Sequence, residues 1–316
     1  MLEVNKELFE DYKYTLEMYA EEGNKRSNTT KAYVGDIEQF LNYLEVDARI
    51  IKLQNANEWL KSLSGIDGNK IATSTRNRKI VSLKQFYDYL VKTGTIQNNP
   101  LVMLKPTTIK KGENGNQITR DFLEKTEINK LLKVLDKEAN NPTVKRGNSA
   151  DKARINALRD KAIYNLMINS GMRVGEIISL EWCQIQEYDD YVDIYIPTEK
   201  SKNKESRYIP VSLDIIDMIK RYNKNNSSEW VFLSQNGKQL THKSIEDRLK
   251  MYIEMAKIDK NITCHSLRHT YATHMSNRSD INSKVLASYM GHKSTKMIEE
   301  VYYHKTDEMK RKVFKI

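Results

Sequence analysis

The second half of this 316-residue chain carries, in order, Arg173, Lys202, His265, Arg268, His292 and a tyrosine at 302 or 303. Two arginines, a lysine and two histidines can surround a phosphodiester with positive charge and proton donors, and a tyrosine hydroxyl beside them can attack it. Arg173 follows Ser170-Gly171, a helix-stop pair, and opens the next helical stretch. Unpaired backbone N–H groups at such a start, and the forked guanidinium itself, favour an anion. Glu176 is three residues on and can orient that arginine. His265 and Arg268 are three apart in HSLRHTYATHM (265–275), so they share a helical face and can converge on one phosphate. Lys200, Lys202 and Lys204 crowd a turn between two extended runs, where one ammonium can act as general acid to a leaving oxygen.

Each feature also has an ordinary reading. Arg173 and Glu176 could form a surface pair, the three lysines a solvated turn, and His292 a dipole-stabilised helix end after Gly291. Tyr302 and Tyr303 sit among Met297, Ile298 and Val301 at spacings that usually mean packing. His265 and His269 have the four-residue spacing of a helical metal pair, but Arg268 lies between them and no glutamate completes the motif. Cys264 lacks a second cysteine nearby. No metal is expected, therefore, and His269 and His274 read as structural or surface residues.

The elements that must position these residues follow from apolar spacing. Residues 6–45 are helical in pattern, through Leu8, Phe9, Tyr12, Leu16 and Tyr19, then Tyr33, Ile37, Phe40, Leu41 and Leu44, with Thr29 or Thr30 as N-cap of the second helix. A short helix near 55–63 and a longer one over 73–92, stopping at Gly94, complete the first half. KPTTIKKGENGNQIT (105–119) has no periodic apolar face and is the best linker candidate. Helices are predicted over 126–139 and 157–169, separated by a polar, basic loop at 140–156, and a further short helix opens in MRVGEIISLEW. YVDIYIPT (191–198) alternates and reads as a strand paired with SRYIPVS (206–212), with EKSKNKE at the hairpin tip. Helices return from 213 onward, with Leu267, Tyr271 and Met275 as the buried stripe of the histidine-rich one.

Composition bounds the partners. A net charge of +10 favours a polyanion, without separating DNA from RNA or from an acidic protein. Two cysteines cannot build a disulfide framework, no long apolar run predicts a membrane span, and the acidic, amphipathic start is unlike a secretory leader. A cytoplasmic location is expected.

Taken as an ordered set, these motifs resemble the tyrosine recombinases of the phage integrase family. INSGMRVGEIISLEW is similar to the family's first arginine box, T-G-L/M-R-x-x-E-L-x-x-L-x-W, which places its first catalytic arginine on Arg173 and its acidic partner on Glu176. KSKNKESRYIPV resembles the β-hairpin box G-K-G-x-K-x-R-x-V-P-L, and alignment on Arg207 and Pro210 puts the catalytic lysine on Lys202. HSLRHTYATHM matches the H-x-L-R-H-T box at His265 and Arg268, and YMGHKS the L-G-H box at His292. The family's tyrosine usually falls nine residues after that histidine, which here is Val301. The spacing leaves both Tyr302 and Tyr303 open, and the Y-x-H ending, with His304, favours Tyr302. TTKAYVGDIEQFLNYL and STRNRKIVSLKQFYDYL followed by NNPLVMLK resemble the family's core-binding segments, so the resemblance spans nearly the whole chain.

That resemblance implies a mainly α, Xer-like two-domain clamp on duplex DNA. A helical, SAM-like core-binding domain would occupy 1–105, a linker 106–119, and a mostly α catalytic domain with a small antiparallel sheet 120–316. It implies a site-specific recombinase for integration, excision or resolution, such as a phage or other mobile element uses, working through a 3′-phosphotyrosyl link, with no cofactor. Four protomers would act on two DNA sites, with room for accessory DNA-bending proteins. Thr75, Arg78 and Lys84 are the DNA-binding candidates of the first half, on resemblance and helical phase. An arm-site-reading domain of the lambda type is not expected. The rival readings are a type IB topoisomerase, a DNA-binding relative without catalysis and, on charge alone, an RNA-binding helical protein.

Overall fold

The computed structural model describes residues 1–21, 28–64, 68, 70–107, 121–142, 150–201, 205–223, 228–278 and 281–291. The chain divides into two compact units, Met1–Gln117 and Ile118–Ile316. It is mainly α, with eleven α-helices and one three-stranded sheet among the described residues.

The first unit holds α1 (Glu3–Glu21), α2 (Asn28–Tyr43), a 3-10 turn (Ala48–Ile50), α3 (Leu53–Ser62) and α4 (Thr73–Lys92). Three- and four-residue steps bring Ile37, Phe40, Leu41, Ile80, Leu83, Phe86 and Leu90 into one core, with Trp59 edge-on to Phe40 at 5.1 Å. Asp36 is buried under this core's rim and binds Lys79 Nζ at 2.8 Å, Ser82 Oγ at 2.8 Å and Arg78, which locks α2 to α4. Helix α2 already begins at Asn28, so Thr29 and Thr30 lie inside it and neither is its N-cap. Gly94 follows the C-cap of α4 with φ 73°, the left-handed stop that its sequence predicts. Of the expected linker, residues from 108 on lie outside the described residues, and Thr107 at its start is bound by Arg76 and Asn77 of α4.

The second unit is built around α6 (Ala150–Ser170), which packs against α5 (Lys125–Asn140), α8 (Leu213–Tyr222) and α10 (Cys264–Ser276). With neighbours on several sides, α6 buries Ile163, Tyr164, Leu166 and Met167 in succession. Its start at Ala150 overturns the later part of the loop expected over 140–156, whose residues 143–149 lie outside the described residues. The short α7 (Val174–Ile178) leads into β1 (Ile185–Glu187), β2 (Val192–Ile196) and β3 (Arg207–Val211), in antiparallel order β1-β2-β3. Ile194 faces Ile185 on one side and Ile209 on the other, and alternation turns Val192, Ile194, Ile196, Ile209 and Val211 into the core. Helices α9 (His242–Met255) and α11 (Ser283–Met290) complete the described elements. Leu286, Ala287 and Met290 of α11 form a small separate cluster with Tyr271 and Ala272 of α10.

Candidate active site

Three helix ends meet where the polar residues gather. Helix α6 stops at Gly171, whose φ of 62° turns the chain so that Met172 is buried and Arg173 becomes the N-cap of α7. A Cβ at Gly171 would lie 2.4 Å from Tyr271 Cδ1 and 2.8 Å from Met290 Sδ, so the turn presses directly on α10 and α11. The Arg173 backbone N–H donates to Glu176 Oε2 at 2.8 Å, and its Nη1 donates to Oε1 at 3.1 Å. Glu176 thus fixes both ends of the arginine, as the spacing predicts. Helix α7 has only five residues, so the positive charge here comes from guanidinium groups rather than from a helix dipole.

Helix α10 starts at Thr263, whose hydroxyl accepts the Ser266 N–H at 3.1 Å, while the Cys264 N–H donates to the Glu246 carboxylate at 3.1 Å. This start leaves His265 exposed on the first turn and sends Arg268 inward, 4% exposed. Arg268 Nη1 donates to Gly171 O at 2.6 Å and Nη2 to Met290 O, so one guanidinium spans the ends of α6 and α11. Burial pushes its pKa down to about 9. The positive charges of Arg173 and Arg207 add to that, and Glu176 opposes it. His269 and His274 stand edge-on to Phe122 with centroids 6.1 and 6.4 Å away, and His274 Nε2 pairs with Leu123 O at 2.8 Å.

Helix α11 ends at Gly291, with φ 59°. Its last three carbonyls each meet a different arginine. Arg207 Nε takes Tyr289 O at 2.8 Å, Arg268 takes Met290 O, and Arg173 Nη2 takes Gly291 O at 2.9 Å. Arg207 also clasps both oxygens of Glu176 at 2.8 and 2.7 Å. Sequence reasoning used Arg207 only as an alignment mark. Strand alternation was the available signal, because it places Arg207 on the same inward face as Ile209 and Val211.

Lys200 Nζ is held by Ser179 O at 2.6 Å and by Glu181 and Gln184 at 2.7 Å, and it lies 5.3 Å from the Trp230 ring centroid. An ammonium so enclosed is poorly placed to reach a leaving group. Lys202, His292, Tyr302 and Tyr303 lie outside the described residues. On α4, Thr75 and Arg78 are three apart and share a side, while Lys84, nine residues from Thr75, is about half a turn around. All three are half-buried on α4. Arg78 is tied to Asp36 and Ala32 O, and Lys84 donates to Val102 O at 3.1 Å. Among the described residues no group of three or more His, Cys, Asp or Glu is placed to hold a metal ion. No described helix is long and apolar enough to cross a membrane.

The model of the phage integrase family matches residues 121–309, and that of the phage integrase N-terminal SAM-like domain matches 13–94. The chain belongs to the phage integrase family of tyrosine recombinases. It is 29% identical to a tyrosine recombinase of Thermosipho africanus over 96% of each chain. Among solved structures, XerH recombinase in a post-cleavage complex with palindromic difH substrate superposes with TM-score 0.68 and 17% identity, over 91% of this chain and 79% of that one. A lambda integrase tetramer bound to a Holliday junction gives TM-score 0.63 and 17% identity, over 92% of this chain and 77% of that one. At such identity these two likenesses concern the fold.

Proposed function

We propose that this chain is a site-specific recombinase that cleaves and rejoins duplex DNA through Tyr302, with Arg173, Lys202, His265, Arg268 and His292 completing the site. The observation that carries this reading is the meeting of Arg173 and Arg268 at the end of α11, one residue before His292. Two guanidiniums, those of Arg173 and Arg207, bind the Glu176 carboxylate, and Arg268 lies near enough to feel the charge of all three. A phosphodiester is an anion of the size and charge that such a cluster lacks.

In the cleavage step the tyrosine oxygen bonds to phosphorus and the bond from phosphorus to the 5′ oxygen breaks. The tyrosine proton passes to His265, and Lys202 protonates the departing 5′ oxygen. Arg173 and Arg268 hold the non-bridging oxygens as their charge grows, and His292 donates a hydrogen bond to them. The 3′-phosphotyrosyl link keeps the bond energy, so a 5′-hydroxyl can reverse the step without a nucleotide cofactor. Residues 1–105 would be the core-binding domain, 106–119 the linker and 120–316 the catalytic domain. Four protomers would assemble on two sites, and one neighbour in fold is a lambda integrase tetramer bound to a Holliday junction.

A library of nicked duplexes with a randomised core tests this. Wild type should trap a subset as covalent adducts, and sequencing that subset gives the site. Tyr302→Phe should abolish the adduct and Tyr303→Phe should keep it. No adduct from any duplex refutes the recombinase reading, and loss only in Tyr303→Phe moves the nucleophile by one residue. Relaxation of supercoiled plasmid without site preference would point to a topoisomerase.

A further inference from the structure

Arg207 stands at the start of β3, 31 residues from Glu176 in sequence, and is only 7% exposed. Four hydrogen bonds reach the Glu176 carboxylate. Two come from Arg173, through its backbone N–H and Nη1, and two from Arg207 Nη2. Arg207 also binds Tyr289 O, and its Nη1 is buried without a partner. A Cβ at Gly291 would come within 3.1 Å of Arg207 Cζ and Nη1, so the guanidinium lies close against the end of α11. The next residue in the chain is His292.

We propose that Arg207 is a positioning residue for phosphodiester cleavage, a role that rests on the recombinase reading above. It takes up the charge of Glu176 so that Arg173 keeps donors for the phosphate, and it anchors the point from which the chain runs on to His292. The electrostatics set the direction. A carboxylate 2% exposed needs a cation, and without Arg207 its one remaining guanidinium among these contacts is that of Arg173. Glu176 would then draw Arg173 into a two-pronged pair and away from substrate. Lysine at 207 would supply the charge but not the fork that meets two carboxylate oxygens and a carbonyl together.

The alternative is that Arg207 only holds the fold together, and three measurements on the full chain separate the two. The variants are Arg207→Gln, Arg207→Lys and the pair Arg207→Gln with Glu176→Gln, which removes both buried charges and so guards against a variant that fails to fold. Hydrogen exchange in Arg207→Gln should quicken by about tenfold or more at the end of α11 and stay unchanged in α5 and α6. Adduct formation in a single turnover, on a duplex recovered from the library, should slow by about 10²-fold. With a neutral methylphosphonate at the scissile position the same variant should lose less than about threefold, since the charge that Arg173 stabilises is gone.

The paired variant should cleave the phosphate faster than Arg207→Gln alone, because the competing carboxylate is absent, and Arg207→Lys should stay close to Arg207→Gln. Equal losses on phosphate and methylphosphonate, or faster exchange throughout the unit, would overturn the positioning role. A wild type that forms no adduct at all would overturn the recombinase reading and any part of Arg207 in cleavage. The exchange result would still decide whether Arg207 anchors α11.

Discussion

At the scale of single residues, the cluster holds like charges close together at a cost that a bound anion would relieve. Arg268 is buried between two arginines, and its pKa falls from the usual guanidinium range to about 9, with burial the largest cause. A depressed value in a cation means the folded protein disfavours the charge. Below pH 9 the penalty is present in full, because the group is protonated folded and unfolded alike, and it eases only as pH rises above that value. A divalent anion in the site offsets the penalty at neutral pH. Sulfate or pyrophosphate at about ten times its dissociation constant should therefore stabilise the fold by about 1.4 kcal/mol, visible as a melting-point rise of about 2–4 °C. Arg268→Gln should lose most of that rise. An equal rise in both proteins would show that the anion binds elsewhere.

At the scale of elements, the ends of helices do the positioning, and ends are where one sequence is hardest to read. The strand alternation of 191–198 was legible, and Val192, Ile194 and Ile196 are buried as it predicts. The bounds of α4 were legible too, because its apolar steps run unbroken from Ile80 to Leu90. Strand β1 was not, since three residues hold no period and its existence depends on pairing Ile185 with Ile194. The early start of α6 was missed because its first turns are polar and charged, so apolar spacing begins only later. His265 and Arg268 could be assigned a common helix from their spacing, whereas the joining of Arg207 to Glu176 spans 31 residues and needs the fold. Gly171 shows how tightly these ends fit. Its φ of 62°, and the closeness of Tyr271 Cδ1 and Met290 Sδ to where a Cβ would stand, leave no room for a methyl group. Gly171→Ala should cost about 1–3 kcal/mol in denaturant unfolding through strain and overpacking together. A smaller change would mean that Tyr271 and Met290 move aside, and adduct formation should then fall instead, because the carbonyl that holds Arg268 would have shifted.

At the scale of the whole molecule, the charge of +10 acts before any single contact does. Most of the excess lies in Ile118–Ile316, the unit that holds the arginine cluster. Lysine and arginine that neutralise phosphates release counterions, so DNA affinity should fall steeply with salt. With about six to ten phosphates covered, the loss between 50 and 200 mM salt is about 10³–10⁵-fold. The slope of log affinity against log salt reports how many phosphates are met, and single substitutions then assign them. Lys84 donates to the backbone at Val102 O, so Lys84→Gln should lower the slope by about one if its ammonium meets a phosphate in the complex. Arg78 already serves Asp36, a carboxylate 3% exposed that also binds Lys79 and Ser82. Arg78→Gln should therefore weaken the fold of the first unit as well as DNA binding, and the two effects separate by measuring melting and salt slope on the same sample. An unchanged slope in Lys84→Gln would remove α4's outer side from the DNA surface and leave the face of Thr75 and Arg78 to be examined in the same way.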